Sequence, residues 1–115
     1  MLIVFMKEVV KRWGNEKHFA KNEKRTVKIL SVDPGEELSL QKHRYRVEEW
    51  FFLTDGWVQK GSRKFKVKKG GFVKIGKNQR HRLFAKKNRV DVLEVSYGKF
   101  LQGDEVRLED KYGRV

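Results

Sequence analysis

The fold of this chain is decided by Gly35-Glu36-Glu37-Leu38-Ser39-Leu40-Gln41-Lys42-His43-Arg44-Tyr45-Arg46-Val47-Glu48-Glu49-Trp50, followed later by Gln79-Arg80-His81-Arg82. Gln41 and His43 are two residues apart, so on a β-strand their side chains point to the same face. Glu48 follows shortly, and His81 comes from the second stretch. Two imidazoles, a carboxylate and an amide oxygen suit a zinc, iron, manganese or nickel ion. The chain has 3 histidines, and two of them belong to this set, so a metal site is the leading hypothesis.

The length and composition indicate one domain in a reducing compartment. A chain of 115 residues is large enough for a single core, and we predict one domain over residues 1–115. The absence of cysteine excludes disulfides and thiolate ligands and fits a cytoplasmic protein. The apolar N-terminal segment, residues 1–12, is too short and too charged for a transmembrane helix and lacks the order of a signal peptide. Its periodicity does not decide whether this segment is an edge strand, a short helix or a dimer contact.

The charge pattern has two interpretations. Lys+Arg number 28 against 15 Asp+Glu, which gives a net charge of +13. This excess favours anionic ligands, and it is also typical of the charge-dense surfaces of hyperthermophile proteins. The basic residues are scattered over nearly every segment, so we prefer the surface interpretation to a nucleic-acid footprint. A basic nucleic-acid-binding barrel would need aromatic rings exposed on a basic face, whereas Trp50 and Phe52 are more simply placed in a core.

Nearly all of the chain has strand patterns. Thr26–Val32 is rich in β-branched residues and ends at the turn sequence Asp33-Pro34-Gly35. The apolar centre of 49–54 is typical of a strand covered on both faces. Strands about 8–12 residues apart with glycine-bearing turns predict a β-sandwich or small barrel. The further strands are predicted near 57–59, 64–68, 72–75, 81–85 and 90–97. In a barrel Glu48, Trp50 and Phe52 share the inner face, as do His81, Leu83 and Ala85 on the second arm.

The spacing of these residues resembles the two motifs of the cupin superfamily. The first motif corresponds to Gly35, Gln41, His43, Glu48 and Gly56, and the second to Gly71, His81 and Asn88. More narrowly, the chain resembles type II mannose-6-phosphate isomerases, the cupin domain usually found behind a mannose-1-phosphate guanylyltransferase. The similar stretches include Trp13-Gly14-Asn15-Glu16, Arg46-Val47-Glu48-Glu49-Trp50 and Val106-Arg107-Leu108-Glu109-Asp110-Lys111-Tyr112-Gly113-Arg114. The most specific are Leu38-Ser39-Leu40-Gln41 together with the terminal Arg107-Leu108-Glu109-Asp110.

This resemblance implies an all-β double-stranded β-helix, a jelly-roll-type barrel, that holds a divalent metal, with zinc ahead of iron, manganese or nickel. The implied ligands are Gln41, His43, Glu48 and His81. The implied reaction interconverts an aldose phosphate and a ketose phosphate through a metal-stabilised enediol. The resemblance also implies a small anionic sugar phosphate as partner and a homodimer, with no membrane or nucleic acid. The arginines that match the family motif, and are candidates for substrate contact or for structural ion pairs, are Arg46, Arg82 and Arg107.

The chain departs from the family at several positions. Tyr45 and Glu49 stand where the family usually has histidine, and either is a candidate proton carrier. Gly76-Lys77-Asn78 replaces a proline-alanine-glycine loop. These departures keep a second class of function open: a non-catalytic cupin that binds a sugar phosphate or a nucleotide sugar, or a partner subunit of a separate guanylyltransferase.

Overall fold

The computed structural model of the protein describes residues 7–20, 25–97 and 105–110. All regular structure in these ranges is β-strand, so none of their segments is a helix that could cross a bilayer. The eleven strands are β1 (Lys7–Lys11), β2 (Gly14–Ala20), β3 (Arg25–Val32), β4 (Leu40–His43), β5 (Val47–Phe52), β6 (Gly56–Lys60), β7 (Arg63–Val67), β8 (Phe72–Ile75), β9 (His81–Phe84), β10 (Val90–Tyr97) and β11 (Glu105–Glu109).

The strands form two antiparallel sheets. The six-stranded sheet has the order β1-β2-β3-β10-β5-β8, and the five-stranded sheet has the order β11-β4-β9-β6-β7. The chain therefore crosses repeatedly between the sheets, which confirms the predicted all-β fold. Two of the predicted strands, 72–75 and 90–97, match β8 and β10 in their bounds.

The core lies between the two sheets because the strands alternate buried and exposed side chains. Val90, Val92 and Glu94 of β10 are buried while the residues between them are half-buried. The other large buried apolar side chains are Trp13, Leu30, Val32, Trp50, Phe52, Val58, Val73, Ile75 and Leu83. Glu48 shares this inner face with Trp50 and Phe52, as expected for a barrel interior.

One expectation about β5 is wrong. The apolar run at its centre predicted a strand covered on both faces, but Phe51 is 39% exposed and Leu53 is 44% exposed. Each sheet has one inner face only, so alternate residues of β5 point outward. The ring of Phe51 instead packs on that of Phe72, with the centroids 4.9 Å apart.

The N-terminal segment forms the edge of the larger sheet where it is described. Lys7–Lys11 is β1, which pairs with β2 alone. Residues 1–6 of that segment, and residues 111–114 of the C-terminal stretch that resembles the family, lie outside the described residues. Gly14 opens β2 with φ +150°, where a Cβ would collide with the carbonyl oxygen of Ser31 on β3. A side chain at this position would therefore push β2 away from β3.

Candidate metal centre

Strand register brings the predicted ligands together from both sheets. Gln41 of β4 lies opposite His81 of β9, and His43 ends the same strand β4. Glu48 comes from β5 of the other sheet, a few residues further along the chain. All four side chains are buried. The site therefore spans the space between the sheets.

The carboxylate of Glu48 lies between the two imidazoles. Its Oε1 is 3.1 Å from Nδ1 of His43 and 3.1 Å from Nε2 of His81. Two donor atoms bound to one ion at about 2.1 Å, at angles of 90–110°, lie about 3.0–3.4 Å apart. Among the described residues, this buried Oε1 has no partner with good hydrogen-bond geometry. The spacing, the poorly satisfied oxygen and the N₂O donor set fit a divalent ion.

The ring of His81 is oriented by the backbone. Its Nδ1 donates a hydrogen bond to the carbonyl oxygen of Gln79, at 2.8 Å, so the lone pair of Nε2 faces Glu48. Asn78 has φ 59°, a left-handed conformation that asparagine tolerates better than most residues. Its N–H donates to the carbonyl oxygen of His43, at 2.7 Å.

The ring of His43 is oriented by Arg46. Nη2 of Arg46 lies 2.6 Å from Nε2 of His43, and a guanidinium can only donate, so Nε2 is the acceptor. The ring proton is then on Nδ1, which lies 3.1 Å from Oε1 of Glu48. An ion on Nδ1 would move that proton to Nε2, opposite the guanidinium. Nδ1 of His43 therefore cannot bind an ion while Nε2 of the same ring accepts this hydrogen bond from Arg46.

Gln41 lies beside this cluster. Its Nε2 donates to the hydroxyl oxygen of Ser39, at 3.2 Å, and to the carbonyl oxygen of the same residue, at 3.4 Å. The amide nitrogen is thereby engaged, which leaves Oε1 as the atom available to a ligand. Gln41 also lies opposite Arg107 of β11. The register thus brings Gln41 and Arg107 to the same wall of the site.

A second buried carboxyl group, Glu94, was not predicted from the sequence. It lies opposite Trp50 in the β10–β5 ladder, and Nε1 of Trp50 donates to its Oε2 at 2.9 Å. Burial and the neighbouring Glu48 raise the pKa of Glu94 to about 8. Burial also acts to raise the pKa of Glu48, but the contacts with His43 and His81 outweigh it and hold that pKa well below its usual range. Of the two carboxyl groups, Glu94 is the one that keeps a proton at neutral pH.

Glu48 and Glu94 line one end of a cavity of about 270 Å³ between the sheets. This volume is close to the lower end of the usual range for small-molecule sites, about 300 Å³. The inner end is formed by Gln41, Glu48, Trp50, His81 and Glu94. The other end is formed by Lys7, Lys11, Glu16, His18 and Lys28. Arg46 and Arg107 also line the cavity, which places two of the three predicted substrate arginines beside it.

The outer end holds one ion-paired cluster. Oε1 of Glu16 lies 2.7 Å from Nε2 of His18 and 3.3 Å from Nζ of Lys28. Burial acts to raise the pKa of Glu16, but Lys28 and the contact with His18 outweigh it and lower that pKa. His18 is thus paired with Glu16 and lines the cavity, which no pattern in the sequence indicated.

Three predicted site residues do not reach the cavity. Tyr45 is 62% exposed, and Glu49 lies on the opposite face of β5 from Glu48, where it accepts a hydrogen bond from the hydroxyl of Tyr97 at 3.3 Å. Arg82 is buried against β11: its guanidinium donates to the carbonyl oxygens of Leu38, at 3.0 Å, and Glu109, at 3.1 Å. Arg82 thus occupies a structural ion-pair position, one of the two interpretations of the sequence.

Comparison with known proteins adds a family match over most of the chain. Residues 3–110 match a family model described as mannose-6-phosphate isomerase C-terminal. The chain is 35% identical over 120 residues to mannose-1-phosphate guanylyltransferase ManC of Salmonella typhimurium, a match that covers 95% of the chain and 23% of that protein. It is 33% identical over 111 residues to alginate biosynthesis protein AlgA of Pseudomonas aeruginosa, covering 94% of the chain and 23% of that protein. The chain thus spans less than a quarter of the length of these relatives.

Solved structures share the architecture at low sequence identity. Streptomyces PAC13 with uridine superposes with a TM-score of 0.78 at 13% identity, over 90% of this chain and 85% of that one. The capsular polysaccharide assembling protein CapF of Staphylococcus aureus gives 0.77 at 14%, over 91% and 32%. A predicted oxalate decarboxylase of Thermotoga maritima gives 0.69 at 17%, over 83% and 93%. At these identities the likeness concerns the fold alone, and it confirms the cupin-type double-stranded β-helix.

Proposed function

The chain belongs to the mannose-6-phosphate isomerase C-terminal family, and on this premise we propose that it is a metal-dependent isomerase that interconverts an aldose phosphate and a ketose phosphate. The observation that carries this proposal is the buried triangle of His43, Glu48 and His81. Glu48 and His81 of this triangle line the cavity together with a second carboxyl group, Glu94. An aldose–ketose isomerisation needs both parts: a group that polarises a carbonyl, and a group that moves a proton between neighbouring carbons.

The metal ligands in this proposal are His43, Glu48, His81 and the amide oxygen of Gln41. A divalent ion held there would supply Lewis-acid polarisation of the sugar's carbonyl and hydroxyl oxygens. Zinc is the metal we propose first, since two imidazoles and a carboxylate suit it; iron, manganese and nickel accept the same donors.

The proton carrier in this proposal is Glu94: in its ionised form it takes the proton from one carbon, and in its protonated form it returns that proton to the neighbouring carbon. It lines the cavity beside Glu48, and the indole N–H of Trp50 fixes its orientation at 2.9 Å. Tyr45 and Glu49, the candidates from the sequence, do not line the cavity: Tyr45 is exposed, and Glu49 lies on the face of β5 opposite Glu48. The absence of the family histidines at these two positions therefore leaves the cavity intact, which weakens the non-catalytic alternative.

The experiment measures metal content and turnover on the same purified chain. Elemental analysis should give close to one divalent ion per chain, and a coupled assay should detect conversion of mannose 6-phosphate. Glu94→Gln should lower the rate by about 100-fold or more, while Glu49→Gln, on the outer face, should stay close to the parent. Bound metal without turnover under any tested metal would contradict the isomerase and support the non-catalytic sugar-phosphate-binding cupin. A rate lost in Glu49→Gln and kept in Glu94→Gln would reverse the assignment of the proton carrier.

We also propose that the chain forms a homodimer. Phe51 and Phe72 leave an apolar surface on the outer face of the larger sheet, beside β8 at its edge. Apolar side chains next to an open strand edge favour pairing with a second copy. Sedimentation of the parent chain and of Phe72→Lys tests this: a monomer in both would contradict it.

A further inference from the structure

The inner face of the edge strand β1 carries two lysines. Lys7, Val9 and Lys11 alternate along β1 and line the outer end of the cavity. Glu8 and Val10, the residues between them, are exposed and do not line the cavity; Lys7 is also exposed, and Lys11 is half-buried. The period of two follows from the strand geometry. We call Lys7 and Lys11 the β1 lysine face.

The charges of the β1 lysine face are not offset by a close carboxylate. The two buried cations of the cavity each lie close to a carboxylate. Lys28 is 3.3 Å from Glu16, and Arg46 is 3.6 Å from Glu48. Within residues 7–20, 25–97 and 105–110, no carboxylate oxygen lies within the 4.0 Å ion-pair distance of Nζ of Lys7 or Lys11. Glu8, on the outer face of the same strand, lies 3.9 Å from Lys17 instead. Neither lysine therefore forms a close ion pair, although the charge of Lys11 acts on Glu16 and helps to lower the pKa of that carboxyl.

We propose that Lys7 and Lys11 form a phosphate subsite, which binds the terminal phosphate monoester of the substrate while its reacting carbons lie at the His43–Glu48–His81 end of the cavity. This inference rests on the proposed function, since it assumes a sugar phosphate in that cavity. It also assigns a direction to the substrate: phosphate toward β1, carbonyl carbon toward β5.

The spacing of the two lysines suits one phosphate group. Residues four apart on a strand have Cα atoms about 13 Å apart at 3.3 Å per residue. An extended lysine side chain reaches roughly 6 Å from its Cα. Two such chains leaning toward Val9 can therefore bring both ammonium groups to a phosphate above that residue. Each ammonium offers three donors to the phosphate oxygens.

The position at a sheet edge is also favourable for a doubly charged group. A phosphate buried among the core side chains would lose its hydration, which is costly even when it is ion-paired. Among the strands that the structure describes, β1 pairs only with β2, so a phosphate beside it keeps part of its contact with water. Lysine suits such a site because its flexible stem carries a compact charge.

The experiment compares two double variants of equal charge. Lys7→Gln/Lys11→Gln removes the β1 lysine face, and Lys68→Gln/Lys87→Gln removes two exposed lysines from loops elsewhere. Calorimetric titration with mannose 6-phosphate, mannose and inorganic phosphate is followed in parallel by the fluorescence of Trp13 and Trp50, which line the cavity. Thermal melts check that each variant is folded.

The β1 variant should bind mannose 6-phosphate and inorganic phosphate at least tenfold more weakly than the parent, with mannose unchanged. Lys7→Arg/Lys11→Arg should restore most of that affinity, because it keeps both charges. Unchanged phosphate affinity in the β1 variant, or an equal loss in the loop variant, would overturn the inference.

Failure of this inference is distinguishable from failure of the proposed function. If the parent chain shows no isomerase activity and the β1 variant still loses affinity for mannose 6-phosphate, the proposed function is wrong and the phosphate subsite stands. If the parent chain is active and its KM for mannose 6-phosphate is unchanged in the β1 variant, the phosphate subsite is wrong and the proposed function stands.

Discussion

Replacing Arg82 by methionine separates a structural arginine from a substrate arginine. The change keeps most of the apolar stem and removes two hydrogen bonds to the backbone carbonyls of Leu38 and Glu109, at 3.0 and 3.1 Å. Hydrogen bonds from a charged donor contribute about 1.5–3 kcal/mol each, so the lower bound for the pair is about 3 kcal/mol. The further contact with the carboxylate of Glu109 adds little, because that side chain is 67% exposed.

This loss converts into a large change in melting temperature. The entropy of unfolding is about 2.1 cal/mol/K per residue, or about 0.24 kcal/mol/K for 115 residues. A loss of about 3 kcal/mol therefore lowers Tm by about 12 °C. Circular dichroism melts of the parent and Arg82→Met measure this directly. The matched control is Arg89→Met, whose ion pair with Asp91 at 3.1 Å is on an exposed arginine; its Tm should fall by no more than about 4 °C.

The reasoning also requires that Arg82→Met keep its affinity for mannose 6-phosphate. Well below its Tm, Arg82→Met should bind mannose 6-phosphate within about twofold of the parent, a difference of roughly 0.4 kcal/mol. A Tm within about 3 °C of the parent, less than 1 kcal/mol, combined with lost affinity would refute the reasoning. Arg82 would then be the substrate residue that the family motif implied.

Three further predictions concern the cavity and the strand that borders it. His81→Ala should abolish the thermal stabilisation by added zinc, which for the parent should reach about 2.7 kcal/mol, or about 11 °C, at 100 times Kd; an equal shift in both proteins would exclude His81 as a ligand. In the metal-free protein, native Glu94 with a pKa of about 8 holds a proton that the unfolded chain loses near its ordinary value of 4.5, so stability should fall as pH rises between these values. Glu94→Gln should flatten that fall in urea titrations, and a fall of the same slope in the variant would contradict the assignment. Gly14→Ala should cost well over 1 kcal/mol in melts, because a Cβ collides with the carbonyl oxygen of Ser31 and φ is +150°; a neutral result would place the β2–β3 pairing differently.

Much of this architecture follows from period-two patterns that act locally. Phe72–Ile75 and Val90–Tyr97 were predicted with the bounds they have, because apolar alternation and flanking loops delimit them. The convergence of His43, Glu48 and His81 came from motif spacing, since no local pattern places residues from different strands at one point. The exposure of Phe51 could not be predicted from the apolar run around it. Whether the second face of a strand is covered depends on how many layers of sheet or helix the whole fold has.

The proposal of Glu94 as proton carrier depended on information that the local sequence lacks. Glu49 and Tyr45 lie next to the metal motif in sequence, but strand alternation turns Glu49 outward and Tyr45 is exposed. Glu94 lies far along the chain, and only the β10–β5 register sets it beside Trp50. One signal was available: Glu94 shares the inner face of β10 with Val90 and Val92, and a charged residue at such a position is rare without a partner.

The sequence separation within the site has a consequence for how the protein folds. The hydrogen bonds from Trp50 to Glu94 and from Arg82 to Leu38 each close 44 residues of chain. Contacts of this kind form late, since the entropy of loop closure must be overcome before they stabilise anything, and all-β domains of this type fold in milliseconds to seconds. The buried charges of the cavity therefore keep their water until the two sheets close. We expect the proposed ligand set to be complete only after the two sheets have closed, so binding of the proposed sugar phosphate should appear in refolding together with the native state.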